Sequence, residues 1–140
     1  MEIIIKYFDK TLPKIEKIEK GDWIDLYTRE EVKIQEGESK LIPLNVAMKI
    51  PDGYEAHLLP RSSTFGKYHI LMANSMGIID GSYCGENDEW KFSAYCVSPI
   101  IIPKGTRIAQ FRIMEKQPQI SFVEGSLSST DRGGFGSTGN

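Results

Sequence analysis

The chain has 140 residues, 40% of them hydrophobic and 26% charged, which is typical of one globular domain and excludes a protein that is disordered throughout. Seventeen basic and 19 acidic residues give a formal net charge of -2, so a general nucleic-acid-binding surface is not expected, although a few arginines can still hold a small anion. No apolar run approaches the roughly 20 residues of a membrane helix and no secretory signal is visible, so we expect a cytoplasmic protein without membrane partners and with free thiols at Cys84 and Cys96.

Short apolar segments with alternating polarity recur along the chain between glycines and prolines. Residues 41–59 predict a hairpin, because the alternation over 44–50 ends at a Pro-Asp-Gly turn and a second strand follows. Further strands are expected at residues 90–97, 100–102, 107–114 and 120–123. Helical signals are limited to a turn or two at 14–20 and a short helix at 62–68, with Ser62 or Ser63 as its cap. Many short strands and few helices predict an all-β sandwich or barrel.

The last 16 residues, 125–140, differ from the rest because eleven of them are Gly, Ser or Thr. Such a segment buries too little surface to offset its ordering entropy, so we expect residues 1–124 to form the folded domain and 125–140 a flexible arm. One interpretation of the arm is a disposable terminus. However, residues 132–139 place an arginine, a phenylalanine and two hydroxyls among glycines, a combination suited to a flap that closes over a nucleotide.

Two kinds of charged side chain indicate the chemistry of a candidate site. Arg61, Arg107 and Arg132 each stand beside hydroxyl, amide or glycine backbone donors, which suits a polyphosphate cradle. Asp80 lies at a turn after two isoleucines, where a carboxylate can act as a base on a water molecule. No set of side chains has metal-ligand spacing. If Mg2+ takes part, phosphate oxygens supply most of its ligands, and Asp25 is the best protein candidate.

Five segments occur in an order that resembles the five motifs of the trimeric deoxyuridine triphosphatase (dUTPase) family. They are residues 21–26, 60–63, 77–85, 105–110 and 132–139. The likeness spans residues 21–139 and is closest to Bacillus-type and prophage members. It implies a β jelly roll assembled as a homotrimer, with active sites at subunit contacts and each site closed by the arm of another subunit. It also implies Mg2+-dependent hydrolysis of dUTP to dUMP and pyrophosphate, which limits uracil incorporation into DNA and supplies dUMP for dTMP synthesis.

The resemblance also implies a role for each residue that matches a motif. Asp80 orients and deprotonates the water that attacks the α-phosphate, and it contacts the sugar 3′-hydroxyl. Tyr83 packs on the deoxyribose and leaves no room for a 2′-hydroxyl. The uracil edge is read by Asn74 and by the backbone of the following hairpin, which includes Gly77 and Ile79.

The phosphate contacts implied by the resemblance are divided between the domain and the arm. Those of the domain are Arg61, Ser62, Ser63 and Gln110, with Asp25 holding Mg2+ through water. Those of the arm are Arg132, Gly136, Ser137 and Thr138, with Phe135 stacked over the uracil. Arg107 is expected to be structural, because it and Gln110 are three residues apart in a strand and so point to opposite faces.

Two departures from the family pattern keep alternatives open. Residues 86–92 replace the short apolar strand expected after Gly85 and place acidic residues and a tryptophan near the site, and Trp23-Ile24 stands where small residues are usual. Glu89 falls near, but not in register with, the catalytic glutamate of dCTP deaminases, which resemble dUTPases in fold. A second alternative is a regulatory binding protein, since phage dUTPases can contact repressors. Pyrophosphate release from dUTP would support the hydrolase, and ammonia release from dCTP the deaminase.

Overall fold

The computed structural model describes residues 1–136, which form eleven β-strands and one short helix. The strands are β1 (Ile4–Tyr7), β2 (Ile24–Tyr27), β3 (Val32–Ile34), β4 (Ser39–Pro43), β5 (Val46–Lys49), β6 (Tyr54–Pro60), β7 (Ile70–Met72), β8 (Gly77–Ile79), β9 (Lys91–Cys96), β10 (Ile100–Ile102) and β11 (Arg107–Glu115). Helix α1 spans Thr64–Tyr68, between β6 and β7. The all-β fold class predicted from the spacing of short strands is confirmed.

The described strands pair antiparallel and form four small sheets. The largest sheet has the order β2-β11-β6-β8, and a second has the order β4-β9-β7. β1 pairs with β5, and β10 pairs with β3. Most neighbours in a sheet are distant in sequence, as expected for the crossing connections of a jelly roll. Four candidate site residues lie in the strands of the four-stranded sheet, namely Asp25, Gly77, Ile79 and Gln110, and Arg61 and Asp80 directly follow two of these strands.

The core lies between the sheets and is built from alternate residues of their strands. In β9, Phe92, Ala94 and Cys96 are fully buried while their neighbours in the strand are more exposed, as the alternation predicted. Just before β9, the Trp90 ring meets the Phe111 ring edge to face with centroids 5.1 Å apart. Such a pair contributes about 0.5–1.5 kcal/mol beyond the burial of its area. This contact joins β11 in one sheet to the start of β9 in the other.

The predicted hairpin over residues 41–59 is wrong in its pairing, although its turn and its strands exist. The Tyr54 amide donates to the Pro51 carbonyl at 3.2 Å, and Gly53 has a φ of 86°, so the turn forms where expected. The strands on either side then diverge, because β5 pairs with β1 while β6 pairs with β11 and β8. Alternating polarity defines the two faces of a strand but not the strand beside it, which here comes from distant sequence.

Three further local predictions have different outcomes. The short helix is confirmed as α1, with Ser63 at its N-cap position but without a side-chain capping hydrogen bond. Residues 14–20 form no helix; instead the Ile15 amide donates to the Tyr7 hydroxyl at 3.1 Å, and the Ile15 side chain packs on the core. Residues 120–123 form no strand, because a strand needs a hydrogen-bonded neighbour and none of the described strands pairs with them.

The two cysteines are free thiols, as predicted, with Cys84 exposed and Cys96 buried. The Cys96 thiol donates to the Ser98 carbonyl at 2.9 Å, so the buried thiol has a hydrogen-bond partner.

A separate observation concerns helices that could span a membrane. Within residues 1–136 no helix is long and apolar enough to cross one, since α1 has only five residues.

Candidate active site

A cavity of about 450 Å³ opens beside β8, at the edge of the four-stranded sheet. Five residues that the sequence assigned to the nucleoside line it: Asn74, Gly77, Ile79, Asp80 and Tyr83. A Cβ on Gly77 would lie only 3.1 Å from the Cβ of Leu58, so glycine at this position lets β8 pack closely on β6. The structure thus gathers into one pocket the residues predicted to read the base, to pack on the sugar and to activate water.

The opposite wall of the cavity comes from the neighbouring sheet and includes residues that no motif indicated. Leu41 on β4 and Lys91 on β9 line it, and these two strands pair with each other. Trp90, within the segment that departs from the family pattern, also lines it. Leu41 and Lys91 reach the pocket only through the packing of one sheet against the other, so no local sequence signal could have found them.

Asp80 lies in the turn that follows β8, with its side chain exposed to solvent. Its Oδ1 accepts hydrogen bonds from the Ser82 amide at 2.7 Å and from the Ser82 hydroxyl. Both bonds favour the charged form and lower the pKa of Asp80 below its ordinary value of 3.8. The carboxylate is therefore ionised at neutral pH, and Ser82 does not use its Oδ2.

Tyr83 follows in the same turn and is 39% exposed. Its amide donates to the Asp80 carbonyl at 3.2 Å, and its hydroxyl donates to the Glu89 carbonyl at 2.9 Å. Partial burial, together with the negative charges of Asp88 and Glu89, raises the pKa of Tyr83 above its ordinary value of 10.0. The phenol therefore stays neutral, and the residue is fixed at both its backbone and its hydroxyl.

A second group of predicted residues lies where β2, β11 and β6 run side by side. Gln110 on β11 is directly opposite Asp25 on β2. Arg61, immediately after β6, approaches the Asp25 carboxylate with its Nε at 3.0 Å. Ser62 and Ser63 follow Arg61 in the turn that leads into α1. Four predicted phosphate contacts and the predicted metal ligand are thus neighbours.

Arg107 also reaches this group, which strand alternation did not predict. Its Nη1 lies 3.4 Å from Asp25 Oδ2, and its carbonyl accepts a hydrogen bond from Arg61 Nη1 at 3.3 Å. The register of β11 against β2 shifts between Arg107 and Ala109, so the two-residue period breaks there. The argument that Arg107 and Gln110 point to opposite faces does not hold across this shift. The ion pair with Asp25 agrees with the structural role expected for Arg107.

The two groups lie at opposite ends of β6. Ile79 pairs with Ala56, so Asp80 lies level with Glu55, whereas Arg61 follows the other end of the strand. Six residues of extended chain separate these two levels, or about 20 Å at roughly 3.3 Å per residue. A single chain therefore does not bring its Asp80 to its own candidate phosphate contacts.

Beyond β11 the described chain continues to residue 136 with large apolar side chains on its surface. Phe122 is 94% exposed, and Phe135 is wholly exposed. Arg132 and Phe135, the predicted arm contacts, do not line the cavity beside β8. Gly136 has a φ of 92°, a conformation that favours glycine. Ser137 and Thr138, predicted to bind phosphate, lie outside the described residues.

Comparison with known proteins shows the family. The sequence matches the dUTPase family model over residues 19–139. The chain belongs to the dUTPase family. It is 54% identical over 140 residues to the SPbeta prophage-derived deoxyuridine 5'-triphosphate nucleotidohydrolase YosS of Bacillus subtilis (strain 168), with 99% of each chain covered. It is 39% identical to the deoxyuridine 5'-triphosphate nucleotidohydrolase of Rickettsia felis, with 96% of this chain and 93% of the relative covered.

Solved structures of dUTPases share the fold. A Staphylococcus bacteriophage 80alpha dUTPase variant with dUpNHpp has a TM-score of 0.80 and 25% identity, with 99% of both chains covered. The dUTPase of phage phi11 of S. aureus, described with a structural Mg(II) ion, has a TM-score of 0.77 and 19% identity, covering 89% of this chain and 98% of its own. The predicted family and jelly-roll-like fold are confirmed, and the enzyme is a nucleotide hydrolase that acts on dUTP.

In the described part of this dUTPase, the candidate contact for Mg2+ is the single carboxylate of Asp25 rather than a set of several protein ligands. Residues 1–136 contain no group of three or more His, Cys, Asp or Glu side chains placed to hold a metal ion. The Asp25 side chain is 29% exposed, and its two oxygens face Arg61 and Arg107 separately. A carboxylate oxygen can accept more than one hydrogen bond. Asp25 therefore fits a contact with Mg2+ through water, and the surroundings do not fit direct binding by several carboxylates.

The dCTP deaminase alternative depends on Glu89, and the geometry removes this side chain from the pocket. Glu89 is 5% exposed, and its carboxylate accepts hydrogen bonds from Arg29 Nε at 2.7 Å and Arg29 Nη2 at 3.1 Å. It also accepts one from the Asn45 amide at 2.9 Å. The hydrogen bond to Glu89 raises the pKa of Arg29 above its ordinary value. A carboxylate enclosed in this way serves the fold of the dUTPase and not proton transfer to a bound base.

Proposed function

We propose that this dUTPase converts dUTP to dUMP and pyrophosphate in a Mg2+-dependent reaction in which water attacks the α-phosphate. The observation that carries the proposal is the cavity beside β8, in which the ionised Asp80 shares a pocket with Asn74, Gly77 and Tyr83. The names of the relatives and the dUpNHpp held by the 80alpha enzyme support dUTP as the nucleotide. The reaction would act on the cytoplasmic nucleotide pool, limiting uracil incorporation into DNA and supplying dUMP for dTMP synthesis.

In the chemical step, Asp80 accepts a hydrogen bond from the attacking water and takes its proton as the new oxygen–phosphorus bond forms. The bond between the α-phosphorus and the bridging oxygen breaks, and pyrophosphate leaves with the electron pair. Because its pKa is lowered, Asp80 is a weak base, and its main contribution is to orient the water. This suits phosphoryl transfer, whose loose transition state needs little prior deprotonation.

Selection of the nucleoside would come from the walls of the same cavity. The Tyr83 ring, held through its hydroxyl, presents a face on which deoxyribose packs and against which a ribose 2′-hydroxyl clashes. Asn74 and the backbone up to Ile79 offer donors and acceptors to the uracil edge. Close packing of β8 on β6 at Gly77 limits how far this hairpin can move away to admit a 5-methyl group.

The triphosphate would lie against Arg61 and Gln110, together with the hydroxyls of Ser62 and Ser63. The ion pair with Asp25 holds the Arg61 guanidinium in place before substrate arrives, which lowers the ordering cost of binding. Mg2+, bound by phosphate oxygens and through water by Asp25, would supply positive charge to the phosphoryl oxygens as negative charge develops on them.

Each active site would be built from more than one chain. A water-orienting base and the groups that hold the α-phosphate must meet within hydrogen-bonding distances, but Asp80 and Arg61 of one chain lie about 20 Å apart along β6. A second copy that places its Arg61 group against the first copy's Asp80 removes this gap. A homotrimer repeats that contact around a closed ring.

The arm would close the site as a lid supplied by another subunit. Arg132 would bind the outer phosphates in its planar fork, assisted by Gly136, Ser137 and Thr138, and Phe135 would stack over the uracil. The full exposure of Phe135 supports this role, because the ring has no packing of its own to lose on closing. Closure would exclude water and strengthen the electrostatic contacts to the phosphates.

The test is to incubate the protein with Mg2+ and each deoxynucleoside triphosphate in turn, and to measure pyrophosphate. We expect release from dUTP and little from dTTP or dCTP, and no release after EDTA is added. Asp80→Asn serves as the matched control, because it should bind dUTP without turning it over. Ammonia released from dCTP would replace the proposal with a deaminase, and nucleotide binding with neither product would replace it with a regulatory protein.

A further inference from the structure

The segment between β8 and β9 is attached to the rest of the protein at several points, and one of them is the buried carboxylate of Glu89. Lys6 Nζ also donates to the Glu86 carbonyl at 2.6 Å, and the Trp90 amide donates to the Val46 carbonyl at 2.8 Å. Glu89 is only 5% exposed and takes two hydrogen bonds from the Arg29 guanidinium and one from the Asn45 amide. Arg29 is itself tied to the fold, since its amide donates to the Pro43 carbonyl at 3.0 Å. Moving Glu89 would break an ion pair whose carboxylate is buried, although the Arg29 side chain is 35% exposed, and would leave the buried charge without a partner, which proteins rarely tolerate. The position of Glu89 is therefore tightly fixed.

Tyr83 is attached to the same residue from the cavity side. Its hydroxyl donates to the main-chain carbonyl of Glu89 at 2.9 Å, so the bond does not depend on the Glu89 carboxylate itself. The loop between the two residues closes on itself, because the Gly85 amide donates to the Asp88 carboxylate at 2.8 Å and the Asp88 amide to the Gly85 carbonyl at 3.0 Å. The position of the Tyr83 ring therefore depends on the position of Glu89.

We propose that Arg29 and Glu89 are positioning residues that set the place of the Tyr83 ring and thereby determine the discrimination between dUTP and UTP. This inference rests on the proposed contact of Tyr83 with the deoxyribose. Arg29 and Glu89 would not touch the nucleotide.

The physical reason is that the Tyr83 ring can exclude a ribose 2′-hydroxyl by contact only if the ring is held in a fixed position. A ring that moves by a fraction of an ångström can admit a hydroxyl that a fixed ring rejects, and groups that act by position need to be held within about 0.5 Å by their supporting residues. The backbone of Tyr83 fixes one end of the side chain, and among residues 1–136 the hydrogen bond from its hydroxyl to the Glu89 carbonyl fixes the other end. Substitutions that make Glu89 more mobile should therefore make the Tyr83 ring more mobile while leaving the ring in the cavity.

The experiment is a double-mutant cycle on selectivity, with Tyr83→Phe, Arg29→Met and the double variant in the full-length protein. The measured quantity is kcat/KM for dUTP divided by kcat/KM for UTP. Tyr83→Phe keeps the ring and removes its anchor, and we expect the ratio to fall about 2- to 10-fold, the range for one neutral hydrogen bond. Arg29→Met should lower the ratio similarly, and the double variant should fall no further, because both changes break one chain of contacts.

Glu89→Gln is a second route to the same result if Arg29→Met folds poorly, because it keeps the shape of the side chain and one carbonyl oxygen for Arg29. Arg112→Met is the matched control. Arg112 forms an ion pair with Asp22, in which Nη2 lies 2.9 Å from Oδ2, and neither residue lines the cavity beside β8. This control should leave the ratio unchanged.

Equal loss of activity toward dUTP and UTP in Arg29→Met or Glu89→Gln would overturn the inference, because it is the result of a purely structural role. A double variant whose ratio falls by the product of the two single effects would also overturn it. Failure of the proposed function is distinguishable, because it would appear in Tyr83→Ala as an unchanged ratio, or in the wild type as no pyrophosphate from dUTP.

Discussion

Asp80, Ser82 and Tyr83 form one short turn in which each residue fixes the state or the place of another. Ser82 lowers the pKa of Asp80 through two hydrogen bonds, and the Tyr83 amide donates to the Asp80 carbonyl at 3.2 Å. The same turn therefore carries the charge proposed for the chemical step and the wall proposed for the sugar. Substitutions within it should separate the two effects.

Asp80→Asn should lower kcat at least roughly 10²-fold, the usual scale for loss of a general base. Binding of dUTP should be largely retained, because the amide has the shape of the carboxylate and the change lies on an exposed side chain. Steady-state kinetics and calorimetric titration with dUpNHpp would measure the two quantities. Activity within a few-fold of the wild type would remove Asp80 from this role.

The pH dependence of kcat/KM should show no fall due to Asp80 between about pH 5 and pH 8. The Ser82 hydrogen bonds hold the Asp80 pKa below 3.8, so the active carboxylate is lost only when the pH falls through that lowered value. Ser82→Ala removes one of the bonds to the charged form and should move the acid limb to higher pH. A wild-type acid limb near pH 6 that ignores Ser82→Ala would assign the essential base to another group.

Tyr83→Ala should raise hydrolysis of UTP relative to dUTP while dTTP remains rejected. The ring would exclude the 2′-hydroxyl by contact, whereas the hairpin of residues 74–79 would exclude the 5-methyl group, so the two selectivities have separate causes. Values of kcat/KM for the three nucleotides would show this. Equal loss of both selectivities would indicate one shared cause, such as closure of the arm.

Sequence alone could select Asp80 and Tyr83 as candidates because they belong to one contiguous motif, but it did not indicate a role for Ser82. It could not predict the relation of Tyr83 to Arg29, because the two are joined through Glu89 and only folding brings these distant segments together. Glu89 shows the same limit of prediction from sequence, here for a residue that sequence made a candidate and the fold excludes. Its position near the motif made it a candidate for catalysis, and its burial against Arg29 decides otherwise.

At the scale of elements, β5, β6, β9, β10 and β11 were predictable as strands from their sequence, but their partners were not. The alternation in β9 correctly marked its buried face, since that face is a property of the strand itself. The turn at Gly53 correctly marked a reversal, yet β5 and β6 enter different sheets. The segment 120–123 has the composition of a strand and, within the described chain, no neighbour to pair with.

The arm is the element whose removal should separate folding from catalysis. Deleting residues 128–140 should leave a folded trimer that binds dUTP weakly and hydrolyses it very slowly, because the deletion removes Arg132 and Phe135 and leaves the core strands intact. Phe135→Ala should have a smaller effect, since stacking on a base is worth roughly 1–3 kcal/mol. Sedimentation and kcat/KM would measure both. Turnover at the wild-type rate after the deletion would make the arm a disposable terminus.

Closure of the arm should be visible by fluorescence in Phe135→Trp. This variant keeps a stacking face, so most of its activity should remain, and its emission should change when dUpNHpp is added. Trp90 also lines the cavity, so the wild-type response must be subtracted as the matched control. An emission change equal to that of the wild type would show that residue 135 stays away from the bound nucleotide.

At the scale of the whole molecule, the proposal of an assembly rests on the separation of the two groups of candidate site residues. The family motifs predicted a set of candidate site residues, and nothing in their spacing showed that Asp80 and Arg61 lie at opposite ends of β6. That follows from the register of β8 on β6, which is a property of the folded chain. We therefore expect a homotrimer at micromolar concentration, and sedimentation of a fully active monomer would contradict the account.

The most direct test of a site shared between chains is complementation between two inactive variants, Asp80→Asn and Arg61→Ala. Co-expressed in equal amounts with separate tags, they form mixed trimers that can be purified by both tags, and pyrophosphate release from dUTP is then measured. If Asp80 and Arg61 of one site come from different chains, about one site in three in each doubly tagged mixed trimer combines two unaltered residues, and activity should return to about that fraction of the wild type. If both residues of a site belong to one chain, every site keeps one defect, and mixed trimers no more active than the separate variants would contradict the account.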